Sequence, residues 1–207
     1  MTHQHHWRRL AIAGHEGDES TARAALTDTD PVARQFALGS LHRMDALTQT
    51  DLLEAFADDS PAVRHRAALL AAEWPEVSLL PLLHDSDSTV VEAAAWAAGE
   101  QEEVDDAVLE LLCALGTSAD DPMVRESAVA ALGAIGDERG LPTILAGCVD
   151  KPAVRRRAVL ALAPFEGAEV DAALAAALVD RDWQVRQAAE DLLPHMSPAL
   201  DDQPEDS

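Results

Sequence analysis

Residues 150–162 read DKPAVRRRAVLAL, and related phrases begin near Asp28, Asp58, Asp85, Asp120 and Asp180. Proline suits the first turn of a helix, where its missing N–H would have no partner. A residue that caps helix N-termini precedes three of these prolines, in the pairs Asp30–Pro31, Ser60–Pro61 and Asp121–Pro122. The apolar positions that follow lie at helical spacing. Each phrase therefore predicts the start of an amphipathic helix whose buried stripe is rich in alanine.

The phrase recurs with a regular spacing. The prolines, or the residues in their place, stand at positions 31, 61, 88, 122, 152 and 183. A period of about thirty residues built from helical pieces is typical of an α-solenoid. A second apolar segment lies between successive phrases, so we expect each repeat to be a helical hairpin.

An arginine follows the apolar position of the phrase in five repeats, as Arg34, Arg64, Arg125, Arg155 and Arg186. The pattern Asp-Pro-x-Val-Arg-x-x-Ala resembles HEAT repeats, in particular the short HEAT-like repeats of the phycobilisome (PBS) lyase type, over residues 20–195. The resemblance implies an all-α, armadillo-like α-α superhelix of about six helical hairpins. It also implies that the five arginines pair with aspartates of adjacent repeats, so we interpret them as structural rather than as an anion-binding or catalytic series. The third repeat departs from the pattern, because Val91 replaces the arginine.

The two ends of the chain differ from the repeats. We predict a flexible, His-rich N-terminus over residues 1–18, a HEAT-like array over 19–196 and a disordered acidic tail over 197–207. Histidines in a flexible terminus bind divalent metals adventitiously, so the group His3, His5, His6, His15 and Glu16 predicts no physiological metal site.

The formal net charge is −23, with 38 acidic residues against 15 lysines and arginines. Such a surface repels nucleic acid and anionic membranes, whose binding depends on phosphate neutralisation by Lys and Arg. It favours basic partners, and a high-salt habitat is an alternative explanation. The two cysteines lie in separate helical segments, and no signal peptide or membrane span is recognisable. We therefore expect a cytoplasmic protein, a monomer that binds neither nucleic acid nor membrane.

One column of residues on the second helices is expected to face the concave groove of a HEAT-like array. Aromatic and arginine side chains on an open face are common binding anchors. We hypothesise that the groove holds a peptide or protein segment, an acidic one near Arg156 and Arg157. The alternative for Trp96 is that it packs on a neighbouring helix. The groove residues are Phe36, His65, Arg66, Leu69, Trp96, Arg156, Arg157 and Leu160.

Enzymes built from similar repeats supply a second class of hypothesis. Deoxyhypusine hydroxylases place His-Glu after the Val-Arg pair to bind iron, and no repeat here carries His-Glu at that position. Related DNA glycosylases need a cationic groove, which the charge argues against. We predict no catalytic residues, metal or cofactor, and a non-catalytic scaffold or adaptor. The alternative, by analogy with PBS lyase proteins, is an accessory lyase or chaperone-like factor for a tetrapyrrole or other prosthetic group.

Overall fold

A computed structural model describes the backbone of residues 3–196 and the side chains of residues 7–193. Over this range the chain forms thirteen α-helices and one 3-10 turn at Glu138–Gly140, without a β-strand. The helices are α1 His3–Glu16, α2 Glu19–Ala25, α3 Pro31–Arg43, α4 Gln49–Phe56, α5 Pro61–Ala71, α6 Leu80–Leu83, α7 Ser88–Glu100, α8 Asp106–Ser118, α9 Pro122–Ile135, α10 Leu141–Gly147, α11 Pro152–Ala161, α12 Ala168–Ala177 and α13 Trp183–Met196.

Helices α2 to α13 form six successive pairs, in each of which the second helix begins at the repeated phrase. The predicted all-α class of about six HEAT-like helical hairpins is confirmed. The chain divides into two compact units, with the boundary between Leu111 and Leu112 inside α8. In unit 1 the second helices α3, α5 and α7 pack side by side, and in unit 2 the second helices are α9, α11 and α13.

The N-terminal segment differs from the expected flexible terminus. Helix α1 packs against α3, which is the second helix of the first hairpin. Leu10 is buried with Ala33 and Ala37, and Ser40 Oγ donates a 2.9 Å hydrogen bond to the Leu10 carbonyl. Burial of these apolar side chains orders a segment that lacks the Asp-Pro phrase. The predicted tail at 197–207 lies outside the described residues.

Aspartates cap several of the second helices, as the phrase predicts. Asp30, Asp87 and Asp121 accept hydrogen bonds of 2.9–3.0 Å from the backbone N–H two residues later. Ser60 differs, because its side chain makes no capping bond. Asp150 accepts from the N–H of Lys151 at 2.6 Å. The helix starts therefore rely on proline at the first turn where a side-chain cap is missing.

Small residues bring the second helices close together. In unit 2 a methyl group at Gly133 would lie 2.5 Å from Ala161 Cβ and 2.6 Å from its Cα. Such distances exclude any side chain at position 133, so α9 and α11 approach each other over glycine and alanine. Ala128 and Ala158 are fully buried on the same two helices. The alanine-rich stripe in the phrase is thus the contact surface between neighbouring repeats.

Arginine-aspartate pairs join successive repeats within each unit. Each guanidinium donates two hydrogen bonds to one carboxylate of the following repeat, at 2.6–2.9 Å, and a third to a backbone carbonyl at the start of its own repeat. The pairs are Arg34–Asp58, Arg64–Asp85, Arg125–Asp150 and Arg155–Asp180. Each arginine therefore connects the turn at the start of its own repeat to the aspartate of the following repeat.

The series ends or is interrupted at two positions. Arg186 donates to the Asp180 carbonyl at 2.7 Å, and among the described residues no carboxylate of a following repeat pairs with it. Val91, buried in α7, has no hydrogen-bond donor in its side chain. The boundary between the two units follows the repeat that contains Val91.

Arg155→Ala should lower the free energy of unfolding by about 2–4 kcal/mol, because it leaves a half-buried carboxylate and a backbone carbonyl without their donors. Urea denaturation measures the change. Arg181→Ala is the matched control, since Arg181 is exposed beside the same Asp180, and it should change the free energy by less than about 0.5 kcal/mol. Equal effects of the two substitutions would contradict the structural role of Arg155.

The stabilisation from these pairs should depend on pH in the acidic range. The hydrogen bonds from Arg125 hold the pKa of Asp150 below its ordinary value, against the opposing effect of burial. A carboxylate with a depressed folded pKa contributes its full stabilisation above the unfolded pKa of about 3.9, and loses it as pH falls through the folded pKa. Asp150→Asn should therefore cost about 2 kcal/mol at pH 7 and progressively less below pH about 4. Urea denaturation of both proteins across this range tests the prediction, which a pH-independent cost would contradict.

Candidate functional site

In each unit, a cleft lined mainly by side chains of the second helices opens among the described residues. The cleft of unit 1 lies among α1, α3 and α5 and has a volume of about 390 Å³. The cleft of unit 2 lies between α11 and α13, with about 290 Å³. The unit 1 cleft is lined by Ala11, His15, Val32, Gln35, Phe36, Gly39, Ser40, Arg43 and Arg66. The unit 2 cleft is lined by Arg156, Arg157, Leu160, Trp183, Gln184, Gln187, Ala188 and Asp191.

The unit 1 cleft is positively charged. Arg43 and Arg66 both line it, and no aspartate or glutamate does. Burial, together with the charge of Arg43, lowers the pKa of Arg66 from its ordinary value. Both causes disfavour the charged guanidinium, and an anion between Arg43 and Arg66 would offset them.

Phe36 provides the apolar side of the same cleft. It lies on the outer face of α3 and is 38% exposed, although the neighbouring Ala37 is fully buried. Ala11 and Val32 extend the apolar surface. A ligand in this cleft would therefore meet cations and an aromatic ring together.

The unit 2 cleft has cations that are partly neutralised. Glu126 Oε1 lies 3.8 Å from Arg156 Nη2 and 3.7 Å from Arg157 Nε. Asp191, which accepts a 2.8 Å hydrogen bond from Gln187, supplies a second carboxylate to the cleft. Leu160 and Trp183 give it exposed apolar surface, at 37% and 65% exposure. The cleft suits a mixed polar and apolar ligand better than a strongly anionic one.

The residues predicted for the groove fall into three sets in the structure. Phe36 and Arg66 line the unit 1 cleft, and Arg156, Arg157 and Leu160 line the unit 2 cleft. Trp96 is 47% exposed on α7. His65, Leu69 and Trp96 line neither of these clefts.

Sequence reasoning missed Arg43, His15 and Trp183 as cleft residues. Arg43 lies seven residues after Phe36 on α3, so extending the predicted column by two helical turns would have reached it. His15 could not be found in this way, because its contribution depends on the packing of α1 against α3. Trp183 stands at the proline position of its repeat, where the pattern predicts only a helix start.

Two further properties bound the chemistry of the described residues. They contain no group of three or more His, Cys, Asp or Glu side chains arranged to hold a metal ion. Over the same part of the chain, none of the helices has the length and apolar character required to cross a lipid bilayer. The Cys113 thiol donates a 3.7 Å hydrogen bond to the Arg139 carbonyl. Burial raises the pKa of the Cys148 thiol to about 11, which makes it a poor nucleophile at neutral pH.

The stacked hairpins and their exposed second helices define a helical-repeat protein. A family model of HEAT repeats matches residues 50–130, 76–152 and 110–194. Because these matches together span more than half of the sequence, the chain belongs to the HEAT repeat family, whose members commonly mediate protein-protein interactions.

Solved structures show the same fold. The crystal structure of an engineered protein from the Northeast Structural Genomics Consortium superposes with a TM-score of 0.59 at 19% sequence identity, over 86% of this chain and 96% of the engineered one. No curated protein matched the chain.

Proposed function

We propose that this HEAT repeat protein is a non-catalytic scaffold or adaptor that binds a peptide or protein segment on the exposed face of its second helices. The observation that carries the proposal is the clustering of exposed apolar side chains with arginines in both clefts. Phe36 lies with Arg43 and Arg66 in unit 1, and Leu160 lies with Arg156 and Arg157 in unit 2.

These arginines differ from those that join the repeats. The linking guanidiniums are 7–16% exposed, and each is bound to a carboxylate. Arg156 and Arg157 are 38% and 42% exposed, and their carboxylate contacts are longer than 3.5 Å. Contacts this long are weak, so the two guanidiniums keep hydrogen-bonding capacity for a partner. Aromatic and arginine side chains of this kind contribute a large share of binding energy at protein interfaces.

The proposed binding region is the repeat array at residues 19–196, with α1 adding to the unit 1 cleft. Trp96 extends the proposal beyond the clefts, because it presents an indole ring on the second helix of the third hairpin. His65 and Leu69 on α5 are included as secondary contacts, since both remain partly exposed. The acidic segment predicted near Arg156 and Arg157 would compete with Glu126 for the guanidiniums and would face Asp191. We therefore propose that the segment bound in the unit 2 cleft has mixed polar and apolar side chains.

Simultaneous replacement of Trp96 and Arg156 by alanine should reduce recovery of the partner at least about tenfold in affinity capture from the native cell, since such anchors contribute about 2 kcal/mol or more each. Quantitative mass spectrometry of the captured proteins gives the readout. Circular dichroism should show unchanged helix content, because both side chains are substantially exposed.

The matched control is the double substitution Val179→Ala and Arg181→Ala, which removes an 81% exposed valine and an exposed arginine from the turn before α13. A genuine partner is retained by the control and lost by the Trp96/Arg156 variant. If every captured protein behaves identically with the two variants, the second helices are not the binding face and the proposal fails.

The finer resemblance to PBS lyase-type repeats leaves a lyase or chaperone-like role for a tetrapyrrole as the alternative. No observation on the described residues favours it. If the scaffold proposal is right, protein purified from its native cell should show no absorption bands at visible wavelengths and no stoichiometric metal. A visible band that persists through gel filtration would instead support the prosthetic-group role.

A further inference from the structure

Two guanidinium groups in unit 1 have no partner within the described part of the chain. Neither Arg43 nor Arg66 makes a hydrogen bond or an ion pair there, although Arg66 is half-buried. This is unusual in a chain with a net charge of −23, in which carboxylates are abundant. Carboxylates are absent from the lining of this cleft, because none of its lining residues is acidic.

Two glycines on neighbouring helices leave space for both guanidiniums. A methyl group at Gly39 would lie 2.8 Å from Arg66 Nη2, and one at Gly14 would lie 2.7 Å from Arg43 Nη1. Each guanidinium therefore lies over a glycine of the neighbouring helix, Arg66 of α5 over α3 and Arg43 of α3 over α1. The glycines leave space for both guanidiniums beside the cleft that the two arginines line.

Arg66 is half-buried, whereas Arg43 is exposed but close enough for its charge to act on Arg66. Holding a partly desolvated cation near a second cation is unfavourable unless an anion joins them. A carboxylate would neutralise one guanidinium, whereas a phosphate monoester carries a charge of about −1.5 to −2 at pH 7 and has three acceptor oxygens. His15, exposed at the edge of the cleft, and Gln35 can add donors. The charge balance thus favours a phosphate.

We propose that the unit 1 cleft is a phosphate-binding site, in which Arg43 and Arg66 hold the phosphate monoester of a phosphorylated peptide side chain and Phe36 contacts the neighbouring part of the peptide. This inference rests on the proposed function, since the peptide is the bound segment. It adds the chemical group that the segment must carry.

The unit 2 cleft provides an internal comparison. It also contains two adjacent arginines and exposed apolar side chains, but Glu126 lies 3.7–3.8 Å from the two guanidiniums and Asp191 lines the cleft. A phosphate there would face these negative charges, so the unit 2 cleft should not bind it. The two clefts therefore separate specific binding from general attraction between phosphate and arginine.

The full-length protein can be titrated with inorganic phosphate while the arginine Nε–Hε signals are followed by NMR. The expected result is saturable shifts of the Arg43 and Arg66 signals, with those of Arg156 and Arg157 unchanged. Shifts of the same size at all exposed arginines would indicate an adventitious ion only and would overturn the site.

Three variants test the geometry. Arg66→Gln and Arg43→Gln should each weaken phosphate binding about tenfold or more, because each removes a charge-assisted hydrogen bond. Gly39→Ala keeps the charge but displaces the Arg66 guanidinium, so it should weaken binding without destabilising the helix, in which alanine is favoured over glycine. Arg9→Gln removes the same charge from an exposed position of α1 outside the cleft, and its affinity should match that of the unaltered protein. Equal affinities in all four variants would overturn the proposal.

A second arm uses short peptides with a central phosphoserine and randomised flanking residues, compared with the same library containing serine. The expected result is enrichment of the phosphorylated library by the unaltered protein and loss of that enrichment in Arg66→Gln. Phosphate binding without any enrichment would mean that the site exists but receives a free anion, which refutes the peptide as its source. Enrichment of serine peptides to the same extent, without phosphate binding, would retain the scaffold function and refute the phosphate site.

Discussion

The bidentate ion pair between an arginine and the aspartate of the next repeat is the interaction on which the rest of this structure depends. The Arg64 guanidinium reaches Asp85 in the following repeat and the carbonyl of Asp58 in its own. Asp85 in turn accepts the backbone N–H of Asp87, the residue that caps α7. One carboxylate thus connects the preceding helix with the start of the next. The spacing of the second helices, and so the surface they expose, follows from this connection.

The helical pairs could be predicted because their signals are local. Proline at the first turn, a capping aspartate and apolar residues at helical spacing act within a few positions of each other, as at Asp121, Pro122 and Val124. Helix α1 could not be predicted in the same way. Its order comes from Leu10 packing on Ala33 and Ala37 and from the Trp7 indole donating to Asp30 at 2.7 Å. These contacts join residues more than twenty positions apart, and no local sequence pattern predicts them.

The candidate site was only partly predictable, for a related reason. The helical column identified Phe36 and Arg66, which a single face of each helix places outward. Whether an arginine is neutralised depends on what lies opposite it, as Glu126 lies opposite Arg156 and nothing acidic lines the cleft at Arg66. Counting charges over the whole chain gives −23 and conceals this local positive cleft. The distribution of charge among neighbours, rather than the total, decides which ligand each cleft favours.

The linking bonds also bear on how a chain of this kind can change its length. The Asp150 carboxylate accepts two hydrogen bonds from Arg125. The backbone carbonyl of Asp150 accepts a hydrogen bond from Arg155, whose guanidinium also donates to the carboxylate of Asp180. A duplicated copy of residues 150–179, inserted in tandem, would present the same acceptor to the repeat before it and the same donor to the repeat after it. Duplication or loss of a whole repeat of this kind therefore leaves these arginine-aspartate pairs satisfied. The array can grow or shrink by gene duplication without evolving a new core.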